Sequence, residues 1–388
     1  MTRLDAAPID QVLQNAAANG AVAGAVLVVG DPDGVIYEGQ AGDLPDGLNS
    51  VFRIASMTKA ITSVAVLQLV DEALLDLDAE VASVLPDFGD LQVLEGFDGD
   101  TPRLRPPTRQ ATIRQLLTHT SGCGYFFTNS DLMRWHAVTG EPHVLTGLKR
   151  SLRAPLIADP GTIWEYGVST DWAGQVVEAL RGKELGAVVS ERIAGPLGMT
   201  DTTFRPDDAQ RARLPGVKQR DSDGGLPDSP VELPPDPEFD SGGGGLYSTA
   251  SDYLRFLRAL LRGGELDGAR VLSNAMVDAM FTDQLTGLPL PELVRSALPE
   301  LCNDIPKLPF AEGWGCGLQL LLEDIPGMRR AGTGNWAGLM NSYYWIDRTT
   351  GVTAALFTQV LPFFDAKILE AALGAELAIY AQLGATVS

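Results

Sequence analysis

Ser56 and Lys59 are the two residues whose types and spacing most directly suit covalent chemistry. Residues three apart share a helix face, so the Lys59 amine can reach the Ser56 hydroxyl if Ser56 stands at the start of a helix that runs to about residue 70. Apolar residues cover nearly all sides of that run, which predicts a buried helix. An unpaired ammonium is costly inside a protein, and a serine beside an amine is an activated nucleophile. None of the other five lysines has a serine three residues before it.

A structural role for the same pair stays open on this stretch alone. Ser56 could cap the helix through its hydroxyl, and Lys59 could extend its amine to solvent along an apolar stem. The choice between an activated serine and a helix cap depends on what the rest of the chain places beside them.

Three further segments could complete a serine site, and each has an ordinary structural alternative. Tyr166 precedes a predicted helix over residues 170–182 and could turn its phenol toward Ser56, or be a half-buried structural tyrosine. The glycine-rich residues 331–339 could bring backbone N–H groups close to a ligand, or form a hairpin turn. His119 could be a base, or a buried histidine bonded to local backbone.

The elements that must position these residues divide along the chain. The first part predicts a helix over residues 4–18, a hairpin around Asp31-Pro-Asp-Gly34, and the Ser56 helix to about residue 72. Residues 73–110 look like loops, and helices follow over 129–153, 170–182, 184–194 and 251–262. The last third predicts short strands over 315–322, 328–331, 340–346 and 352–359, and a closing helix over 366–383.

This order predicts an α+β fold, an α/β sandwich in which an antiparallel sheet is flanked by the N- and C-terminal helices. We expect residues 1–72 and 241–388 to form the α/β domain. Residues 73–240 would be an inserted, mostly helical domain with long loops, and the active site would lie in the cleft between the two. The glycine run 242–245 is interpreted as a place of close backbone approach, not phosphate binding.

Composition excludes several classes of partner. The net charge of −21 over 388 residues argues against nucleic acid and anionic membrane surfaces. Three scattered cysteines predict reduced thiols in a cytoplasmic protein, and no His or Cys spacing suits zinc, so we expect no metal and no cofactor. Neither a signal peptide nor a membrane span is indicated. The sequence favours no particular oligomeric state.

Five segments occur in an order that carries a family resemblance. They are Ser56-x-x-Lys59, Leu116-Leu-Thr-His-Thr-Ser-Gly122, Pro160-Gly-x-x-x-x-Tyr166, Pro196-Leu-Gly-Met199 and Ser241-Gly-Gly-Gly-Gly-Leu246. Together they resemble the β-lactamase-related serine hydrolases, which have the class C β-lactamase, penicillin-recognising or transpeptidase-like fold and whose S-x-x-K element is a known signature. Segments 336–347 and 358–362 are similar to family VIII carboxylesterases and the fungal acyltransferases of statin biosynthesis.

The resemblance implies an acyl-enzyme mechanism. Ser56 would be the nucleophile, and Lys59 with Tyr166 would be its general-base pair. The backbone N–H groups of Ser56 and Leu339 would form the oxyanion hole, a contribution of about 3–4 kcal/mol per donor. The resemblance implies that Trp336, Ala337 and Gly338 bind the substrate. The aromatic residues Tyr125 and Phe126 are further candidates for lining the pocket. For Tyr125 and Phe126, ordinary packing is an equal alternative.

Departures from the β-lactamase pattern narrow the expected substrate. The run Tyr166-Gly-Val168 lacks the Asn of Tyr-x-Asn. Trp336-Ala-Gly338, or Gly332-Thr-Gly334 in a gapless register, stands where Lys-Thr-Gly would grip a carboxylate, and the lysine is absent either way. We therefore expect a small-molecule ester with a short or apolar acyl group, cleaved by a carboxylesterase. The alternatives are an acyltransferase with an alcohol or amine acceptor, a β-lactamase or D-aminopeptidase, and a non-catalytic binding protein of the same fold.

Overall fold

The computed structural model describes residues 3–231 and 233–384, and its centre is a seven-stranded antiparallel sheet. The described residues contain further short strands outside this sheet, paired two by two. In chain order, all strands are β1 (Gly24–Gly30), β2 (Val35–Gly42), β3 (Phe52–Arg53), β4 (Val93–Asp98), β5 (Thr101–Arg105), β6 (Lys218–Gln219), β7 (Tyr247–Ser248), β8 (Glu265–Leu266), β9 (Ala269–Arg270), β10 (Leu293–Val294), β11 (Ile305–Pro306), β12 (Glu312–Trp314), β13 (Gln319–Leu321), β14 (Gly334–Gly338), β15 (Ser342–Asp347), β16 (Val352–Phe357) and β17 (Val360–Leu361).

The order of the strands in the sheet is β12-β13-β14-β15-β16-β1-β2, so the first hairpin of the chain pairs with the last strands. The α-helices are α1 (Ala6–Ala18), α2 (Thr58–Asp71), α3 (Pro86–Gly89), α4 (Ile113–Leu117), α5 (Ser130–Thr139), α6 (Ser169–Arg181), α7 (Leu185–Val189), α8 (Asp208–Arg211), α9 (Ala250–Leu261), α10 (Asn274–Met280) and α11 (Ala366–Gln382).

Helices α1 and α11 cover the outer face of the sheet. Ile9 and Leu13 of α1 and Ile368 of α11 are buried in one apolar cluster with Leu27 of β1. Every residue of β1 is buried, as expected for a strand with a neighbour on each side and helices on each face. The α+β prediction, with terminal helices flanking an antiparallel sheet, is therefore confirmed.

The opposite face of the sheet carries the larger apolar core, in which α2 is fully enclosed. Twelve of the fourteen residues of α2 are buried, including Thr62, Ser63 and Gln68. These polar side chains bond to backbone: Thr62 Oγ1 donates to the Gly242 carbonyl at 2.8 Å, and Gln68 Nε2 to the Val271 carbonyl at 2.7 Å. The predicted buried helix is confirmed, and it anchors the residues at its N-terminus.

Some local predictions were wrong for identifiable reasons. Residues 93–105, predicted as loop, form the β4–β5 hairpin, whose exposed strands lack a clean alternation of apolar and polar residues. The helix predicted over 129–153 ends at Thr139, because Gly140 has a left-handed φ of 70°. Residues 328–331 lie between two glycines with positive φ and form a turn instead of a strand.

Within residues 3–231 and 233–384, no helix has the length and hydropathy that crossing a bilayer requires.

The outer core makes a direct prediction about stability. Leu27 is fully buried between β2, β16 and the outer helices, so Leu27→Ala leaves a cavity and should lower the free energy of unfolding by about 2–5 kcal/mol. The matched control is Leu377→Ala on α11, whose side chain is 45 % exposed and should cost under about 0.5 kcal/mol. Urea unfolding measures both, and equal losses would contradict this assignment of the core.

Candidate active site

Ser56 lies in a tight 3₁₀ turn, Ala55–Met57, immediately before α2. The sequence predicted a helix that follows Ser56, and the α-helix begins two residues later, at Thr58. Ala55 has a left-handed φ of 44°, a conformation that costs a non-glycine residue about 1–3 kcal/mol. The turn presents Ser56 at the N-terminal end of a buried helix, where the helix dipole favours negative charge on its oxygen.

Lys59 is 2 % exposed and uses all three donors of its ammonium group. Its Nζ donates to Ser56 Oγ at 3.1 Å, to the Tyr125 hydroxyl at 3.1 Å and to the Gly243 carbonyl at 2.6 Å. A lysine extending to solvent would be exposed and would not bond in this way. The structure therefore brings the serine and the amine together as the spacing predicted.

The glycine run contributes backbone to the site, as the sequence predicted. A Cβ on Gly243 would lie 2.3 Å from Asp171 Oδ2 and 2.9 Å from the Tyr125 hydroxyl, distances that no side chain tolerates. Only glycine at this position lets the Gly243 carbonyl face Lys59 and its N–H face Asp171 Oδ1, at 3.1 Å.

Tyr166 borders the site from the segment that precedes α6. Its hydroxyl accepts a hydrogen bond from Trp336 Nε1 at 3.1 Å, and Lys59 Nζ lies 4.7 Å from the centre of its ring. The hydroxyl bonded directly to Lys59 belongs to Tyr125. Tyr166 thus receives a donor on its oxygen and lines the cleft beside Ser56.

His119 is buried beneath Tyr166, with ring centres 4.9 Å apart. Burial and, secondly, the positive charge of Lys59 hold the His119 pKa well below its usual value, so the ring is neutral. The His119 ring packs edge-on against Trp314, and the His119 backbone carbonyl accepts a hydrogen bond from Glu165 N at 2.8 Å. This geometry suits a buried residue that supports Tyr166 and not a base acting on Ser56.

Gly338, at the end of β14, passes very close to the turn that holds Ser56. A Cβ on Gly338 would lie 2.5 Å from the Ile54 carbonyl oxygen, so only glycine allows this approach. Leu339 is the first residue after the strand, not part of it, and it borders the same cavities as Ser56. This is the region in which the sequence predicted the second oxyanion donor.

Two largely apolar cavities meet at Ser56. The first chamber has a volume of about 140 Å³, and its walls include Tyr125, Phe127, Val144, Leu145, Phe204 and Leu233. The second chamber has a volume of about 430 Å³, and its walls include Trp164, Tyr166, Leu290, Val294, Ile305 and Trp336. Ser56 and Leu339 border both chambers, whereas Tyr166 and Trp336 border only the second.

The remaining predicted substrate-binding residues are distributed differently. Tyr125 borders the first chamber and also binds Lys59. Phe126 stacks on His143 with ring centres 4.1 Å apart and borders neither chamber. Its neighbour Phe127 borders both chambers instead. Ala337 borders the second chamber and pairs with Tyr343 across β14 and β15.

Asp171 and Gly243 are the site residues that sequence reasoning missed. Asp171 lies in the first turn of α6, where an acidic residue usually serves the helix dipole and gives no signal of its own. The glycine run was interpreted correctly as a close approach, but its partner could not be named. In the described part of the chain, no group of three or more metal-ligating side chains comes together.

The β-lactamase family model matches residues 9–378, nearly the whole chain. The chain belongs to the β-lactamase family. Among curated members, it is 34 % identical over 366 residues to the lovastatin esterase of Penicillium rubens, covering 88 % of this chain and 89 % of that one. It is 36 % identical over 344 residues to the monacolin J acid methylbutanoyltransferase of Aspergillus terreus, covering 85 % and 82 %.

Solved structures of the β-lactamase family show the same architecture. A variant of simvastatin synthase (LovD) from Aspergillus terreus superimposes with a TM-score of 0.83 and 29 % identity, covering 97 % of this chain and 94 % of that chain. The resemblance to β-lactamase-related hydrolases and statin-pathway acyltransferases, and the transpeptidase-like fold that it implied, are thus confirmed. Esterases and acyltransferases both occur among the relatives of this chain.

Glu165, next to Tyr166, should give the fold a pH dependence. Burial raises its pKa to about 7, although Asn129 Nδ2 donates to it at 3.2 Å. The folded chain then keeps a proton that the unfolded chain loses near pH 4.5, so stability falls as pH rises between these values. Glu165→Gln should match the wild type at about pH 5 and be the more stable protein at about pH 8.

Urea unfolding at the two pH values measures this difference. The control is Glu370→Gln, an exposed substitution on α11 that should shift stability equally at both. A Glu165→Gln protein with the same pH dependence as the wild type would contradict the buried, protonated carboxyl.

Proposed function

We propose that this β-lactamase family member is a serine carboxylesterase that cleaves short or apolar acyl esters through an acyl-enzyme on Ser56. The observation that carries the proposal is the 3.1 Å hydrogen bond between Lys59 and Ser56 at the junction of two apolar chambers. It combines an activated nucleophile with space for apolar groups on both sides of an ester.

In the proposed reaction, the pair Lys59 and Tyr166 first gives up one proton to solvent. Ser56 Oγ then attacks the ester carbonyl carbon while its own proton passes to the vacant base site of that pair. The carbonyl oxygen becomes an oxyanion, which the backbone N–H groups of Ser56 and Leu339 stabilise. The bond to the alcohol oxygen then breaks, and the pair returns the proton to that oxygen as the alcohol leaves. Water then attacks the acyl carbonyl carbon and gives a proton to the same pair. The bond to Ser56 Oγ breaks, the pair returns the proton to that oxygen, and the acid is released.

Tyr166 suits the proton transfer better than Tyr125. Burial and the charge of Asp171 raise the Tyr125 pKa well above 10, so its phenol stays neutral and serves as an acceptor for Lys59. Tyr166 is less buried, borders the second chamber, and receives the Trp336 N–H. A donor on its oxygen stabilises the negative charge that develops there during proton transfer.

The position of Tyr166 assigns the two chambers. A general acid must contact the oxygen of the leaving alcohol, so the alcohol belongs in the second chamber, which Tyr166 borders. The acyl group then occupies the first chamber, whose volume of about 140 Å³ favours short or compact acyl groups. The alcohol side, with about 430 Å³, has room for a bulky apolar group.

Two sequence features support an ester over a β-lactam. Val168, the residue before α6, occupies the position of the missing Asn, and Trp336 or Gly332 occupies the position of the missing Lys. None of these residues supplies the polar group that would hold a lactam amide or its carboxylate. The free cysteines support the cytoplasm as the working compartment, and the net charge of −21 supports a small uncharged ester as substrate.

An acyltransferase is the second candidate, because the second chamber is large enough to hold an acceptor alcohol in place of water. A relative of 36 % identity is named as a methylbutanoyltransferase. The same acyl-enzyme serves both reactions, and the acceptor that reaches it first decides the product.

The catalytic assignment is tested with Ser56→Ala, Lys59→Met and Tyr166→Phe. Each should lower kcat for short p-nitrophenyl esters by about 10²–10⁴-fold, because each removes the nucleophile or a proton-transfer group. Intact mass after fluorophosphonate treatment should show one adduct on the wild type and none on Ser56→Ala. Trp336→Phe, which removes only the donor to Tyr166, should have a smaller effect.

An unlabelled wild type, or full ester turnover by Ser56→Ala, would contradict the enzyme assignment. Nitrocefin turnover as fast as that of short esters would favour a β-lactamase or D-aminopeptidase instead.

The chamber assignment is tested by a reciprocal pair of variants. Val144→Phe narrows the first chamber and should selectively lower kcat/KM for the longer acyl chains of a p-nitrophenyl ester series. Val294→Phe narrows the second chamber and should selectively slow acetates of bulky alcohols and transfer to added alcohols. Differences of about tenfold are expected from a blocked apolar pocket. The reverse pattern would exchange the two assignments.

A further inference from the structure

Asp171 is a buried carboxylate for which the proposed reaction has no direct use. It is 0 % exposed in the first turn of α6. Its Oδ1 accepts from Ser241 Oγ at 2.6 Å and from Gly243 N at 3.1 Å. Its Oδ2 is equally buried and accepts no hydrogen bond from residues 3–231 and 233–384. A carboxylate is rarely kept in such a place unless a charge of opposite sign faces it.

Gly243 connects this carboxylate to the reacting lysine. Its N–H donates to Asp171 on one side, and its carbonyl accepts from Lys59 at 2.6 Å on the other. Asp171 Oδ2 and the Tyr125 hydroxyl lie on the same side of Gly243. A Cβ built on Gly243 would be 2.3 Å from the carboxylate oxygen and 2.9 Å from the hydroxyl, to which Lys59 donates. Lys59 and Asp171 are therefore linked by hydrogen bonds through one residue, Gly243, in an interior that screens charge poorly.

We propose that Asp171 is the counter-charge of Lys59, a positioning residue that fixes the lysine's carbonyl acceptor and sets the pH at which the amine can accept the Ser56 proton. The positioning of Lys59 concerns the resting structure alone, whereas the effect on the pH of proton transfer rests on the proposed function. Asp171 touches no reacting atom and acts through Gly243 and the electrostatic field.

The titratable groups around Lys59 and Asp171 add little charge that would screen the two from each other. The groups that face it from adjacent segments are His119, Cys123, Tyr125 and Tyr166. Burial lowers the His119 pKa, raises the Cys123 pKa to about 11, and raises the Tyr125 pKa. These three are neutral near pH 7. Burial also raises the Asp171 pKa, and the charge of Lys59 opposes that rise, the reciprocal effect of a coupled pair.

Removal of the negative charge with Asp171→Asn tests the effect on reactivity. Asparagine keeps an oxygen for Ser241 and Gly243, but it no longer favours the protonated amine. The acid limb of the pH profile for fluorophosphonate reaction at Ser56 should move down by about one pH unit. The matched control is Asp252→Asn, a buried carboxylate at the same third position of α9 that accepts from Asp201 N at 2.7 Å. Its profile should equal that of the wild type.

An unchanged acid limb in Asp171→Asn, or an equal shift in Asp252→Asn, overturns the proposal. A role of Asp171 in folding alone would lower stability or the amount of labelled protein without moving the limb. A wild type that does not react at all refutes the proposed function instead, so the two failures are distinguishable.

A second measurement needs neither turnover nor a folded Asp171 variant. Lys59→Met removes the positive charge, so the Asp171 carboxyl should bind a proton near pH 7, because burial then raises its pKa against hydrogen bonds such as those from Ser241 and Gly243 alone. Infrared difference spectra between wild type and Lys59→Met should show the carbonyl band of one protonated carboxyl. If Lys59→Met lacks that band at pH 7, the carboxylate is held by something other than Lys59 and the proposal fails.

Discussion

The burial of the Lys59 ammonium is the constraint on which the site depends. A charged amine with almost no exposure must find an acceptor for every proton, and Ser56, Tyr125 and Gly243 provide them from three separate segments. Each segment is fixed by the core around α2, so the lysine defines where those segments meet. The sheet, the helical layer and the glycine run can be understood as the frame that keeps these acceptors within 3.1 Å of one nitrogen.

Strain and close approach are concentrated where that frame meets the substrate. Ala55 adopts a left-handed φ beside the nucleophile, and Gly338 brings β14 against the same turn. Both features place Ser56 next to the Leu339 backbone at the boundary of the two chambers. The cost of about 1–3 kcal/mol at Ala55 is offset by the surrounding core. One rigid turn thus serves the proposed nucleophile, the proposed oxyanion donors and the division of the substrate space.

Membership of the β-lactamase family explains the shared parts, whereas the lining of the chambers accounts for what differs. Trp336 borders the second chamber and donates a hydrogen bond to Tyr166. Around Tyr166, His119 and Trp164 form an aromatic wall with ring centres 4.9–6.3 Å from its ring. Of these rings, Trp164 and Tyr166 border the second chamber and give it an apolar surface.

The sequence alone determined the fold class, the α2 helix and the pairing of Ser56 with Lys59, because these follow from local periodicity and spacing. It also indicated that residues 242–245 approach other backbone closely. It did not reveal the β4–β5 hairpin, in which the buried residues Val93 and Leu94 are adjacent and the rest is largely exposed, so that no alternation results. Only the tertiary structure decided that Tyr125, 66 residues away, bonds to Lys59, while Tyr166 bonds to Trp336. Contacts over such separations depend on packing between segments, and a buried Asp171 looks in sequence like any acid at a helix start.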